Sequence, residues 1–208
     1  MDSNITSDKK TRTKNAILEA AQDAFLQNGY HKTDMRQIAK IVGIDKRTIY
    51  RYFSSKEALA FAIWQKVLGY IMDFGANAKG QTGYDRLGNM LYMYMKEVES
   101  NQNIIKFLGE FDHVFSGEYP HIEEAEQFVS YITTRENGIS KLLKEGVMDK
   151  SIRDDMDVDL TASTISNIML AISQRIVIRG EHLQIEQGFS YEMLTHSVKL
   201  MLEGIRVR

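Results

Sequence analysis

With 208 residues, of which 43% are hydrophobic and 26% charged, the chain has enough apolar material to bury a core, which excludes a disordered polypeptide. It has no cysteine, so disulfides, thiolate metal sites and cysteine nucleophiles are excluded, in keeping with a reducing cytosol. The net charge of −2 is unevenly spread: residues 1–56 carry +5 and the remainder −7, a basic head on an acidic body that draws a polyanion to one end.

No apolar run approaches the roughly 20 residues that cross a bilayer. The opening MDSNITSDKKTRTK also lacks the apolar centre of a signal peptide, so a cytoplasmic protein with no membrane partner is expected. Only Pro120 interrupts the chain, and the apolar residues recur at helical spacing, which predicts an all-α fold. A first helix is predicted from about Asp8 to Asn28, burying Ile17, Ala21, Ala24 and Phe25 and ending at Gly29. Thr33 and Asp34 open a short second helix with Met35, Ile38, Ala39 and Val42 on one face, ended by Gly43. Asp45 caps a third helix running to about Phe53, and Ser54 with Glu57 reads as a capping box that opens a fourth. Further helices are predicted near 84–99, 101–115, 121–145, 157–179 and 189–206, nine in all.

The run MRQIAKIVGIDKRTIYRYFS, from Met35 to Ser54, has what two helices at a sharp turn require. Ala39 permits close approach, Gly43 makes the turn where a side chain would clash, and Ile38, Val42, Ile44 and Ile49 fill the small core. Such a unit is too small to stand alone, so the apolar face of the first helix completes it. With those positions inward, Lys46, Arg47, Tyr50 and Arg51 face solvent. In a helix-turn-helix this element enters the major groove. Lys46, Arg47 and Thr48 then lie near base edges, while Tyr50, Arg51 and Tyr52 are placed for phosphates. Thr33 and Lys56 begin helices, where backbone N–H groups favour a phosphate.

The pattern through Asp34, Ile38, Thr48, Tyr50, Tyr52, Phe53, Lys56, Glu57 and Leu59 resembles the DNA-binding head of the TetR regulators over about the first 65 residues. Arg47 stands where many relatives carry a small residue and Arg51 where histidine is frequent; both add positive charge to the exposed face. The resemblance implies a DNA-binding domain over 1–54 and a larger helical domain over 55–208 that binds a small-molecule effector and dimerises. It further implies a near-palindromic double-stranded operator, because two heads must reach major grooves about 34 to 36 Å apart. Ligand entry among helices four to seven would tilt the fourth helix and change that spacing.

Soft and aromatic side chains on adjacent helices suit an adaptable apolar pocket: Met90, Tyr94, Phe107 and Phe111 are candidate contacts, with Glu110, His113, Tyr131, Asn167 and Gln174 to orient a ligand. The broad stripes of the last two long helices nominate Ile165, Ile168, Ile172, Met193, Val198 and Met201 for the dimer interface. Glu110 and His113 form E-x-x-H, a spacing found in di-iron bundles, which raises a rival reading as a helical-bundle metal enzyme. Those bundles need two such motifs and further carboxylates, and no second copy is expected around His31, His121, His182 or His196, so neither a metal nor another cofactor is expected. The absence of G-x-S-x-G, a phosphate-binding glycine loop and H-E-x-x-H points away from an enzyme. The other rival is a regulator that activates, or that answers to a protein partner.

Overall fold

The computed structural model describes residues 2–207, with the side chains of 2–7 and 72–76 outside the described set. It is all-α: α1 Asp2–Asn28, α2 Met35–Val42, α3 Lys46–Tyr50, α4 Lys56–Asn77, α5 Gly83–Ser100, α6 Gln102–Val114, α7 Glu123–Thr134, α8 Gly138–Met148, α9 Val158–Arg179, α10 Glu181–Gln187 and α11 Tyr191–Ile205. Among the described residues the extended pairing is one antiparallel bridge, Ile152 with Arg206. No helix among them is long and apolar enough to cross a membrane.

Two compact units emerge, one from residues 1–67 with 107–134, the other from 68–106 with 135–208; α4 and α6 have residues in both. In the first, Ile17, Ala21, Ala24 and Phe25 of α1 are buried against Ile38, Ala39 and Ile49, as the sequence predicts. Each large side chain sealed in this way contributes about 1.5 to 3 kcal/mol. A second cluster of rings follows in the same unit: Phe61 meets Phe111, Phe115 and Phe128 at centroid distances of 4.9, 4.8 and 5.6 Å.

The predicted caps hold at α2 and α3. Asp34 accepts the N–H groups of Arg36 and Gln37, and Gln37 returns a bond to the Asp34 N–H; Asp45 accepts from Arg47 N at 2.7 Å. At α4 the register differs by one residue. Ser55, not Ser54, caps the helix, its hydroxyl accepting from Ala58 N at 3.2 Å. At Gly43 the reason for glycine also differs. Its φ is +73, but a Cβ would meet nothing within 4 Å, so the left-handed backbone and not a clash demands glycine.

Among the described residues eleven helices replace the predicted nine. The predicted 121–145 helix is two: Asn137 starts α8 by accepting the Ile139 N–H at 2.9 Å, a local cap that competes with continuation of α7. The Gly180–Gly188 loop contains α10, pinned by the buried Leu183. The first helix begins at Asp2, six residues before the predicted start.

In the second unit α5 and α8 touch through glycines: a Cβ on Gly83 would collide with the Gly146 backbone. The α5 N-terminus is held there by Asp149 Oδ2, accepting from Gly83 N at 2.7 Å, and by Ser151 Oγ, accepting from Tyr84 N at 3.2 Å. Backbone cannot yield as a flexible side chain does. Gly83→Ala is therefore expected to destabilise the protein by at least the 1 to 3 kcal/mol typical of overpacking, read as a lowered Tm, whereas Gly204→Ala, in α11 where a Cβ meets nothing, should leave Tm unchanged or raise it.

Candidate nucleic-acid interface

The recognition element is short, and one residue sets its phase. Ile49 has no exposure at all. Helical spacing then turns Arg47, Tyr50 and Arg51 to solvent, and Lys46, the first residue of α3, is exposed beside them, with Thr48 and Tyr52 half-buried. Lys46 Nζ lies 5.5 Å from the Tyr50 ring centroid, a cation over an aromatic face that restrains both side chains. Of the acids bordering this surface, Asp34 is spent on its cap. Its carboxyl is held below the ordinary range by the Gln37 and Arg36 N–H groups, and less by the charges of Arg36 and Lys46. Arg36 and Lys40 are also exposed on α2, a basic pair the sequence reading passed over; the burial of Ile38 and Ala39 between them was the available signal.

Two predicted phosphate contacts have other work. Thr33 is buried, its hydroxyl donating to Ala24 O at 3.1 Å and Gly29 O at 3.0 Å and its N–H to Tyr30 O, so neither group faces a ligand. Lys56 donates to Tyr30 O at 2.9 Å and Thr33 O at 3.2 Å, with its ammonium 4.0 Å from the Tyr30 ring centroid. Two of its three donors thus close the corner between α1 and α2. Tyr30 is gripped from other sides too: its N–H donates to Glu110 Oε2 at 2.5 Å and its hydroxyl to Glu57 Oε1 at 3.3 Å. Burial, reinforced by the Glu57 carboxylate, pushes the phenol pKa far up, so it stays protonated.

The candidate effector residues divide between the two units. Phe107 and Phe111 are buried among the rings of the first unit, Glu110 is engaged by Tyr30, His113 is exposed and Tyr131 half-buried. In the second unit Met90 and Tyr94 are buried, Gln174 is half-buried, and Asn167 is exposed and donates to Ser163 O at 2.8 Å. The buried Tyr94 hydroxyl finds no partner in hydrogen-bonding geometry; the neighbouring Ser173 Oγ donates instead to Met169 O at 2.7 Å. A second E-x-x-H does occur in the sequence, Glu118 and His121, but it lies in the turn before α7 with both residues exposed. No group of three or more His, Asp or Glu side chains among the described residues is placed to hold a metal.

Of the residues nominated for a dimer interface, Ile165 and Val198 are sealed inside the single chain, because the faces of α9 and α11 that carry them pack on each other and on α8 and α5. Ile168, Ile172, Met193 and Met201 keep part of their surface exposed. Ile172 and Met193 line an open apolar groove of roughly 790 Å³ with Leu183 and Phe189, and none of the candidate effector residues lines it.

The family model for bacterial regulatory proteins of the tetR family matches residues 17–63. The HTH-type transcriptional regulator RutR of Escherichia coli K12 is 43% identical over 67 residues, which are 30% of this chain and 32% of RutR. The match therefore spans about a third of that relative's length. Among solved structures, the fatty acid degradation regulator FadR from Bacillus halodurans has a TM-score of 0.67 at 20% identity, covering 94% of this chain and 97% of its own. The transcriptional regulator FadR from Bacillus subtilis, in complex with stearoyl-CoA, has a TM-score of 0.63 at 21% identity, covering 92% and 98%. At these identities the likeness is one of fold.

The buried position of Thr33 has a testable consequence. Thr33→Val removes two hydroxyl hydrogen bonds and leaves buried carbonyls short of a partner, so stability should fall by about 1 to 3 kcal/mol. The salt dependence of duplex affinity should not move, as measured by anisotropy titrations between 50 and 200 mM salt, roughly the range where phosphate contacts dominate; a shallower slope would restore Thr33 as a phosphate contact.

Proposed function

We propose that the chain is a regulator of the TetR family, a homodimeric cytoplasmic repressor released from a near-palindromic operator by a small, largely apolar effector. The observation that carries DNA recognition is the exposed cluster of Lys46, Arg47, Tyr50 and Arg51 around the buried Ile49. Residues 1–54 bind the duplex; 55–208 take the effector and the partner subunit. Arg47, near the start of α3, reads base edges with Lys46 and Thr48, and Tyr50, Arg51 and Tyr52 hold phosphates.

Dimerisation uses the part-exposed Ile168, Ile172, Met193 and Met201 with the strongly exposed Leu160 and Leu200 on the same two helices. Apolar surface of that extent on a soluble chain marks a covered face. Tyr94 is the best-supported effector contact, since a buried hydroxyl without a partner costs about 1 to 3 kcal/mol until something bonds it. The stearoyl-CoA held by the Bacillus subtilis neighbour supports an effector with a long apolar part. By reciprocity, the effector binds the DNA-free state more tightly, by about 1 to 3 kcal/mol of coupling.

The test begins by selecting a preferred duplex from genomic fragments and comparing it with a random one. Arg47→Ala should lose about 1 to 3 kcal/mol of preference for the selected site. Arg51→Ala should weaken both duplexes equally and flatten the salt slope by about one unit. Equal losses from the two substitutions would contradict this division, and no salt-sensitive duplex affinity in the wild-type dimer would overturn the DNA-binding reading. Adding stearoyl-CoA or other acyl-CoA thioesters to the operator complex should release it; effectors that bind without changing operator affinity would refute induction.

A further inference from the structure

The buried stripe of α1 does not stop where the core stops. Ala24, Ala21 and Ile17 follow one another at spacings of three and four residues, and the next members of that series are Lys14 and Lys10. Ile17 is the first buried residue among those described, so the helix from Asp8 to Ala16 covers no core. The face that packs on α2 further along therefore continues outward as two lysines. One of them shows where that face leads: Lys14 Nζ lies 5.4 Å from the ring centroid of Phe53, two residues beyond Arg51 of the recognition segment. Both lysines are exposed, and they sit in the run KKTRTK, with four cations in six positions and no acid. The nearby Asp8 is already paired with Arg12 at 2.5 Å.

An exposed helical stretch with no apolar face gains nothing from the protein's own core. Its charge and its continuity with the recognition segment point to the same partner. We propose that Lys10 and Lys14 form a second, sequence-independent contact with the duplex backbone, flanking the groove entered by α3. This rests on the DNA-binding reading above and adds to it a clamp outside the helix-turn-helix. Ammonium groups on flexible stems suit this role, neutralising phosphates as point charges without selecting bases.

The experiment uses the full-length dimer. Lys10→Gln, Lys14→Gln and the double variant are titrated against a preferred and a random duplex over a range of salt, with Lys14→Arg as the charge-conserving control. Each Gln substitution should flatten the slope of log affinity against log salt by about 0.9, the double by about 1.8, with equal loss on both duplexes and wild-type behaviour for Lys14→Arg. Wild-type slopes in Lys10→Gln and Lys14→Gln would overturn the proposal and leave Lys14 a packing residue over Phe53, as would a loss confined to the preferred duplex. Failure here is distinct from failure of the head: if wild-type protein binds and Arg47→Ala loses site preference while the lysine variants are unchanged, only the clamp is wrong.

Discussion

The burial of a single isoleucine orders most of what the head can do. A helix as short as α3 has almost no rotational preference of its own, because its few backbone bonds cannot hold it against solvent. Ile49, fully enclosed with Ile38, Ile17 and Phe25, removes that freedom. Once one residue of the turn points inward, the 100° step of the helix directs its neighbours at 47, 50 and 51 away from the core, while Lys46, nearer the Ile49 face, is exposed as the first residue of the helix. The hydrophobic core thus acts on recognition through geometry: it does not touch the ligand, yet it determines which charges can.

A second constraint keeps the α1–α2 corner from opening. Tyr30 is held through its N–H by Glu110, through its carbonyl by Lys56, through its hydroxyl by Glu57 and through its ring by the Lys56 ammonium. Bonds to charged groups are among the stronger ones, about 1.5 to 3 kcal/mol each. Lys56 shows why a residue type in a motif does not fix its role. From the sequence it is a cation at a helix start, suited to a phosphate; in the fold its ammonium joins the Thr33 N–H at the Tyr30 carbonyl and also donates to the Thr33 carbonyl.

What the sequence made legible follows the range of the forces involved. Periodicity and caps are local, so the α fold, the three head helices and the buried Ile17, Ala21, Ala24, Phe25, Ile38, Ala39 and Ile49 could be read from it, although Val42 and Ile44, expected to fill the same core, are only half-buried. The misread details lie where two local options compete: Ser54 against Ser55 as a cap, or Asn137 continuing a helix against starting one. The body was less legible because an apolar stripe reveals only that something covers it. Ile165 and Ile172 are seven residues apart on one stripe of α9, yet the first is buried and the second lines an open groove. The surroundings of Thr33 were hidden for a related reason, since its hydroxyl donates to carbonyls at Ala24 and Gly29 that only the folded corner brings within reach.

The position of Glu110 bears on how an effector would be felt by the head. It lies on α6, whose first residues belong to the second unit and whose remainder packs with the head. The sequence offered Glu110 as a ligand-orienting group or half of a metal motif, but its carboxylate already accepts the Tyr30 N–H and stands 2.7 Å from where a Gly29 Cβ would be. Under the proposed induction, a displacement of α6 is covalently transmitted to this bond, and the effector must supply whatever the bond loses. The magnitudes agree: the coupling expected between two sites is about 1 to 3 kcal/mol, the size of one charge-assisted hydrogen bond. A regulator needs no larger device than a carboxylate that leaves one backbone N–H, provided that N–H belongs to the corner that keeps α1 and α2 in register for DNA.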